Sequence, residues 1–143
     1  MRCEQTAPPF LPSRAHADLY DWAWDSKRRT ESITSQIARG SDGNLFLYSV
    51  ESRPSLRDSG DFYSWYEAGA GFEKPSLIIS MKNDSKKLQV QDGEGQALAR
   101  SKNRCAYLAV SLADGTGVDA VFLSLARLML GDANVTVSGW KSV

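Results

Sequence analysis

Apolar residues in this chain arrive in short runs separated by polar, glycine-bearing turns. That pattern predicts a sheet of modest strands more than a bundle of helices. Tyr20, Trp22 and Trp24 alternate with Asp21, Ala23 and Asp25, which is a strand signal. A helix from Ser13 to Trp24 competes with it, and the choice between strand and helix stays open over residues 18–38. Arg39-Gly40-Ser41-Asp42-Gly43 is a turn cluster and Asn44 to Val50 a β-rich run, so residues 30–50 read as a hairpin. Residues 51–60, with Pro54, Asp58 and Gly60, read as a polar loop, and residues 61–67 follow as an aromatic-rich stretch. Leu77-Ile78-Ile79-Ser80-Met81 is a buried-type strand. Asn83 to Lys86 is a turn, and Leu88 with Val90 marks a returning strand that ends at Asp92-Gly93-Glu94-Gly95. Arg104 to Leu112 alternates as a further strand, with Cys105, Tyr107 and Ala109 on one face and Ala106, Leu108 and Val110 on the other.

The clearest helix signal comes last. Thr116 offers a capping hydroxyl, Asp119 an acid in the first turn, and Gly131 the residue that favours a helix end. Between them Val118 to Leu130 is apolar on nearly all sides, which predicts a buried helix. Residues 134–138 close the chain as a strand. The expected fold is therefore α+β: a single domain with a mainly antiparallel sheet of about seven strands on one buried C-terminal helix, residues 117–130. Residues 1–17, rich in proline, read as an extended N-terminal arm ahead of a globular domain over 18–143.

Charge narrows the partners. Lysine plus arginine equals aspartate plus glutamate at 17 each, and the basic clusters are short, so there is no stripe for a phosphate backbone and nucleic acid is not expected. No apolar run is long enough to span a membrane. The only cysteines, Cys3 and Cys105, and the only histidine, His16, form no metal-ligand spacing. The plain expectation for two distant cysteines is a Cys3–Cys105 disulfide, which implies a periplasmic or secreted protein whose signal peptide has been removed; a cytoplasmic protein with two thiols is the alternative.

Candidate chemistry is sparse. Asp114-Gly115-Thr116-Gly117 sits between strand and helix, where phosphate can bind. It lacks the third glycine of a dinucleotide fingerprint and the lysine of a P-loop, so it reads as turn and cap. Asp58 with Asp61, and Asp92 with Glu94, could serve a carboxylate-based hydrolase only if they faced each other across a cleft. Gly-x-Ser-x-Gly is absent. The aromatic density of 53–67 is the remaining signal, because tyrosine and tryptophan anchor protein interfaces. It marks Tyr63, Trp65 and Tyr66 as anchors, with Arg57, Asp58 and Asp61 as a charged rim that binds another protein. With no catalytic residue, metal or cofactor visible, the expected function is a small exported non-enzymatic binding protein, an inhibitor or toxin-neutralising immunity protein. A carboxylate hydrolase and a small-ligand carrier are the alternatives.

Overall fold

Leu77, Ile78 and Ile79 are consecutive and all buried, so the strand that carries them is covered on both faces. In the computed structural model, which describes residues 2–5, 14–16, 39–70, 74–131 and 135–138, that strand is the centre of a parallel sheet. The elements follow as β1 (Arg2–Gln5), β2 (Arg14–His16), β3 (Asn44–Ser49), α1 (Arg53–Ala70) and β4 (Ser76–Met81). Then come α2 (Asp92–Arg100), β5 (Cys105–Ala109), α3 (Val118–Leu130) and β6 (Val135–Ser138). The main sheet has the order β3-β4-β5, with Asn44 opposite Ser76 and Ser76 opposite Cys105, both ladders parallel. A second sheet of order β2-β1-β6 is antiparallel.

Strand alternation sorts the core into two layers. On one face Tyr48, Ile78 and Ala99 form a cluster with Val50 and Val90, against which Phe46, Leu56, Leu98, Cys105 and Tyr107 pack. This is the layer under α1 and α2. On the other face Leu77, Ile79 and Val110 meet Val121 of α3, with Leu45, Leu108, Phe122 and Leu125 around them. Two β-α-β crossovers with a third helix beyond are what a parallel sheet requires, since its strands cannot be joined by tight turns.

The expected mainly antiparallel, seven-stranded α+β domain is thereby corrected to an α/β arrangement built on a parallel sheet with helices on both faces. Residues 53–67, expected as a loop, belong to the 18-residue helix α1. Pro54 stands in its first turn, where the missing N–H has no helical partner to lose. The strand expected over 88–91 and the turn at Asp92–Gly95 are replaced by an irregular approach and by α2. The second half of the expected 30–50 hairpin is β3, whose partner is the parallel β4; its first half lies outside the described residues, as does the strand-or-helix question over 18–38.

The helix expected near residues 117–130 is present as α3, with changes at its start and in its burial. Gly117, not Thr116, is the N-cap, in the left-handed region at φ 83°, and a Cβ there would lie 2.5 Å from the Ala109 carbonyl oxygen. Gly131 caps the other end, also left-handed. Only Val121 and Ala126 of α3 are fully buried, and Leu128 and Met129 reach the surface.

Candidate functional site

In an open parallel sheet, ligands bind outside the carboxyl ends of the strands, where the loops leave backbone groups and side chains unpaired. Here the loops after β3, β4 and β5 are joined to one another at that edge. Glu51, just past β3, accepts from Lys82 Nζ at 2.7 Å and from Ser85 Oγ at 2.6 Å, both on the loop after β4. The Lys82 ammonium, and then the Ser85 hydroxyl, hold the Glu51 carboxyl below the usual carboxylate range. Lys82 itself has φ 63°, a left-handed conformation that costs a side-chain-bearing residue on the order of 1–2 kcal/mol. Such strain persists only where neighbours hold it, and it concentrates at functional sites.

Asn83 follows. Its Nδ2 donates to the Ser80 carbonyl at 2.8 Å and to the Val110 carbonyl at 2.8 Å, and its backbone N–H reaches the same Val110 oxygen. One amide thus fastens the β4 loop to the end of β5. Next to it the buried Ser111 donates from Oγ to Asp84 Oδ1 at 2.8 Å, while Asp84 stays exposed. The β5 loop then closes on itself. Ser111 N–H donates to the Thr116 carbonyl, and Thr116 N–H to Asp114 Oδ1, which with the Thr116 hydroxyl keeps Asp114 below the carboxylate range. Leu112 projects from the same loop at 64% exposure.

Chemically, this crevice presents two exposed, anchored carboxylates, Asp84 and Asp114, beside the half-buried Glu51 and the apolar Leu112. A carboxylate only accepts hydrogen bonds, and with two oxygens it matches two adjacent N–H donors on a planar ligand. Among the described residues no group of three or more His, Cys, Asp or Glu side chains could hold a metal ion. A polar chain runs inward from the crevice. Ser80 Oγ lies 3.1 Å from Asn83 Oδ1 and 2.8 Å from Tyr107 Oη, and Tyr107 donates to Asp92 at the start of α2.

The residues singled out in the sequence lie elsewhere, and α1 divides them. Tyr63 and Tyr66 are buried, their rings tilted and edge-on around Phe46 with centroids 5.1 and 5.8 Å away, and Tyr63 Oη donates to the Asn103 carbonyl. Trp65 is half-buried against Phe62, edge to face at 5.4 Å, and Asp58 is half-buried. Arg57 and Asp61 are exposed and line a groove between α1 and α2. The carboxylate pairs do not face one another across a cleft: Asp92 takes Tyr107 and Glu94 takes Arg53. Cys105 carries a free thiol, which corrects the expected disulfide; the side chain of Cys3 lies outside the described residues. Sequence reasoning missed Asn83, Asp84 and Ser111. The signal was a polar turn directly after a buried strand, which gains meaning only once the strand is known to be parallel.

A profile of the Ras family matches residues 12–131 of the chain. The chain is 27% identical over 116 residues to Ras-related protein Rab-9B of Mus musculus, covering 78% of the chain and 58% of that protein. It is 31% identical over 110 residues to GTP-binding protein ypt2 of Schizosaccharomyces pombe, 76% of the chain and 54% of the relative. GTP-binding protein YPT1 of Saccharomyces cerevisiae is 27% identical over 109 residues, 76% and 53%. The chain spans about half the length of the curated relatives it matches.

Proposed function

This chain belongs to the Ras family, and we propose that its residues form the base-holding side of a regulatory GTP-binding protein, with Asp84 as the group that recognises guanine. The observation that supports this reading is the Ser111–Asp84 hydrogen bond, which fixes an exposed carboxylate between the two loops at the carboxyl edge of the sheet. Guanine offers N1–H and its 2-amino group side by side, a donor pair that one carboxylate can accept. Asn83 keeps the two loops at the spacing this needs. Two of the matched relatives are named as GTP-binding proteins, which agrees with the same ligand.

Family membership overturns the expected exported non-enzymatic binding protein, whether inhibitor or immunity protein, together with its hydrolase and carrier alternatives. Ras-family members are GTPases, so the expectation of a protein without enzymatic activity falls as well. A periplasmic or secreted location falls with it, and the free thiol of Cys105 removes the reason for placing the chain in an oxidising compartment. A protein partner fits the regulatory role we propose, whereas a toxin or an inhibited enzyme has no support. Among the described residues no helix is long and apolar enough to cross a membrane.

The phosphate side is a different matter. P-loop GTPases cradle the β- and γ-phosphates with Gly-x-x-x-x-Gly-Lys-Ser/Thr and hold Mg²⁺ with its last residue. No glycine in this sequence is followed by lysine, so neither the phosphates nor the metal is assigned to residues of this chain. The proposal therefore concerns the base. Calorimetric titration with GDP tests it directly. Asp84→Asn should lower GDP affinity by about tenfold or more and raise affinity for xanthosine diphosphate, whose 2-oxo group suits an amide donor, since a good two-point contact is worth about 1–3 kcal/mol. GDP binding that ignores the substitution overturns the assignment.

A further inference from the structure

We propose that the groove between α1 and α2 is a docking site for an acidic peptide segment of a partner protein, one that also carries apolar side chains. This stands apart from the nucleotide reading, because no residue of the groove belongs to the crevice around Asp84. The floor is apolar: Leu56 of α1 and Leu98 of α2, both partly buried against the core. Gly60 lets the helices close here, since a Cβ on it would lie 3.3 Å from Leu98 Cδ1. The banks are basic. Arg53 and Arg57 stand one turn apart on α1, and Lys102 stands just beyond the end of α2; Asp61 is the single acid among the lining residues.

How far these cations are already neutralised decides what the groove attracts. Arg53 is committed, bridging to Glu94 at 2.5 Å and 3.1 Å and donating to the Gln89 carbonyl. Lys102 has neutral partners, Ser64 Oγ at 3.0 Å and the Tyr63 ring at 5.1 Å. Arg57 has no hydrogen bond or ion pair among the described residues. Two cations without a carboxylate partner among the described residues, against the one acid Asp61, leave the groove lining net basic on a chain of zero net charge. Residues like these orient a partner by charge complementarity while the apolar floor supplies burial.

The spacing selects the kind of ligand. From Arg57 to Ser64, where Lys102 is held, α1 rises by about 10 Å at 1.5 Å per residue. A single phosphate group is too small to bridge that separation. An extended segment of about three residues spans it, at roughly 3.3 Å per residue. The apolar floor points the same way, because a headgroup gains nothing from leucine whereas a peptide can seat apolar side chains between its acids.

The test is a displayed library of random peptides of about a dozen residues, selected on the protein and counter-selected on an Arg57→Glu, Lys102→Glu double variant. The expected result is enrichment of clones with Asp or Glu alternating with apolar residues. The synthetic peptides should bind wild type saturably and lose about tenfold or more on charge reversal at either position. Thermal unfolding and GDP titration of the variants should match wild type, so loss of the peptide site is distinguishable from failure of the nucleotide reading. Clones that bind the double variant equally well, or no enrichment, overturn the proposal. Sedimentation with vesicles containing phosphatidylinositol phosphates provides the other arm, and charge-sensitive vesicle binding without peptide binding would assign the groove to a membrane surface instead.

Discussion

A Cβ placed on Gly95 would lie 2.2 Å from the Tyr48 hydroxyl oxygen and 2.7 Å from Tyr107 Cε2. The glycine lets α2 press its first turns onto two tyrosines that rise from β3 and β5. Burial pushes the ionisation of the Tyr48 hydroxyl far up, in keeping with an apolar contact layer. Gly95→Ala should destabilise the fold by about 1–3 kcal/mol through overpacking, read from the denaturant midpoint. Adding Tyr48→Phe removes the nearest clash and should recover part of that loss, with Tyr107 accounting for the remainder. An alanine variant as stable as wild type would show that α2 sits farther from the sheet.

The same glycine explains why α2 was hidden in the sequence. Gly93 and Gly95 count as turn residues by composition, and only the tyrosines beneath Gly95 reveal it as a contact residue. α1 was hidden by Pro54 and Gly60, which punctuate loops in general but here occupy a first turn and a helix–helix contact. The apolar runs of β3, β4 and β5 and the apolar span of α3 were legible, since burial on a pleated or helical surface leaves a direct pattern. The burial of β4 was legible in Leu77-Ile78-Ile79, but its pairing was not: the sheet was expected to be mainly antiparallel and its ladders are parallel. The crevice was not legible: Asn83, Asp84 and Ser111 are separated in sequence by up to 28 positions and meet only through the β4–β5 ladder.

Arg53 and Glu94 tie the start of α1 to the start of α2, and Glu94 also accepts from the Gln91 N–H at 3.0 Å. The Arg53 guanidinium, and then that N–H, hold the Glu94 carboxyl below its ordinary value of 4.5. For a carboxylate lowered on folding, the contribution is present above the ordinary value and fades as pH falls below it. Glu94→Gln should therefore lower the denaturant midpoint at pH 7 and differ less from wild type at pH 3. A gap that is the same at both values would mean that charge has no part in it. Because the pair is exposed, added salt should also narrow the gap at pH 7.

Burial raises the Cys105 thiol from its ordinary 9.0 to about 11. At pH 8 its thiolate fraction in the folded protein should be roughly 100-fold below that of the unfolded chain, and the thiolate is the reactive form. Iodoacetamide labelling, followed on the peptide that contains Cys105, should be slow in buffer and fast in denaturant. A group whose folded value is raised favours folding below its ordinary value, and that preference is lost as pH rises from about 9 to about 11. Cys105→Ala should remove this part of the alkaline loss of stability. Rapid labelling in the folded state would place the thiol at the surface.

Ser111 touches no ligand in the proposed base site and acts only by aiming Asp84, so its removal should change selectivity more than folding. Losing one hydrogen bond to a carboxylate costs about 1.5–3 kcal/mol, which the fold should tolerate. Freed from Ser111, Asp84 would sample several rotamers, and its two-point contact with a guanine edge would be made only part of the time. Inosine diphosphate, which lacks the 2-amino group, is the informative comparison. Wild type should prefer GDP over it, because one of the two donors is missing. Ser111→Ala should weaken GDP severalfold while weakening inosine diphosphate less, so the ratio of the two affinities moves toward one. Ser111→Thr, which keeps the hydroxyl, should restore the ratio. If Ser111→Ala lowers both affinities equally and threonine fails to rescue, Ser111 is a packing residue of the β5 loop and Asp84 is not aimed by it.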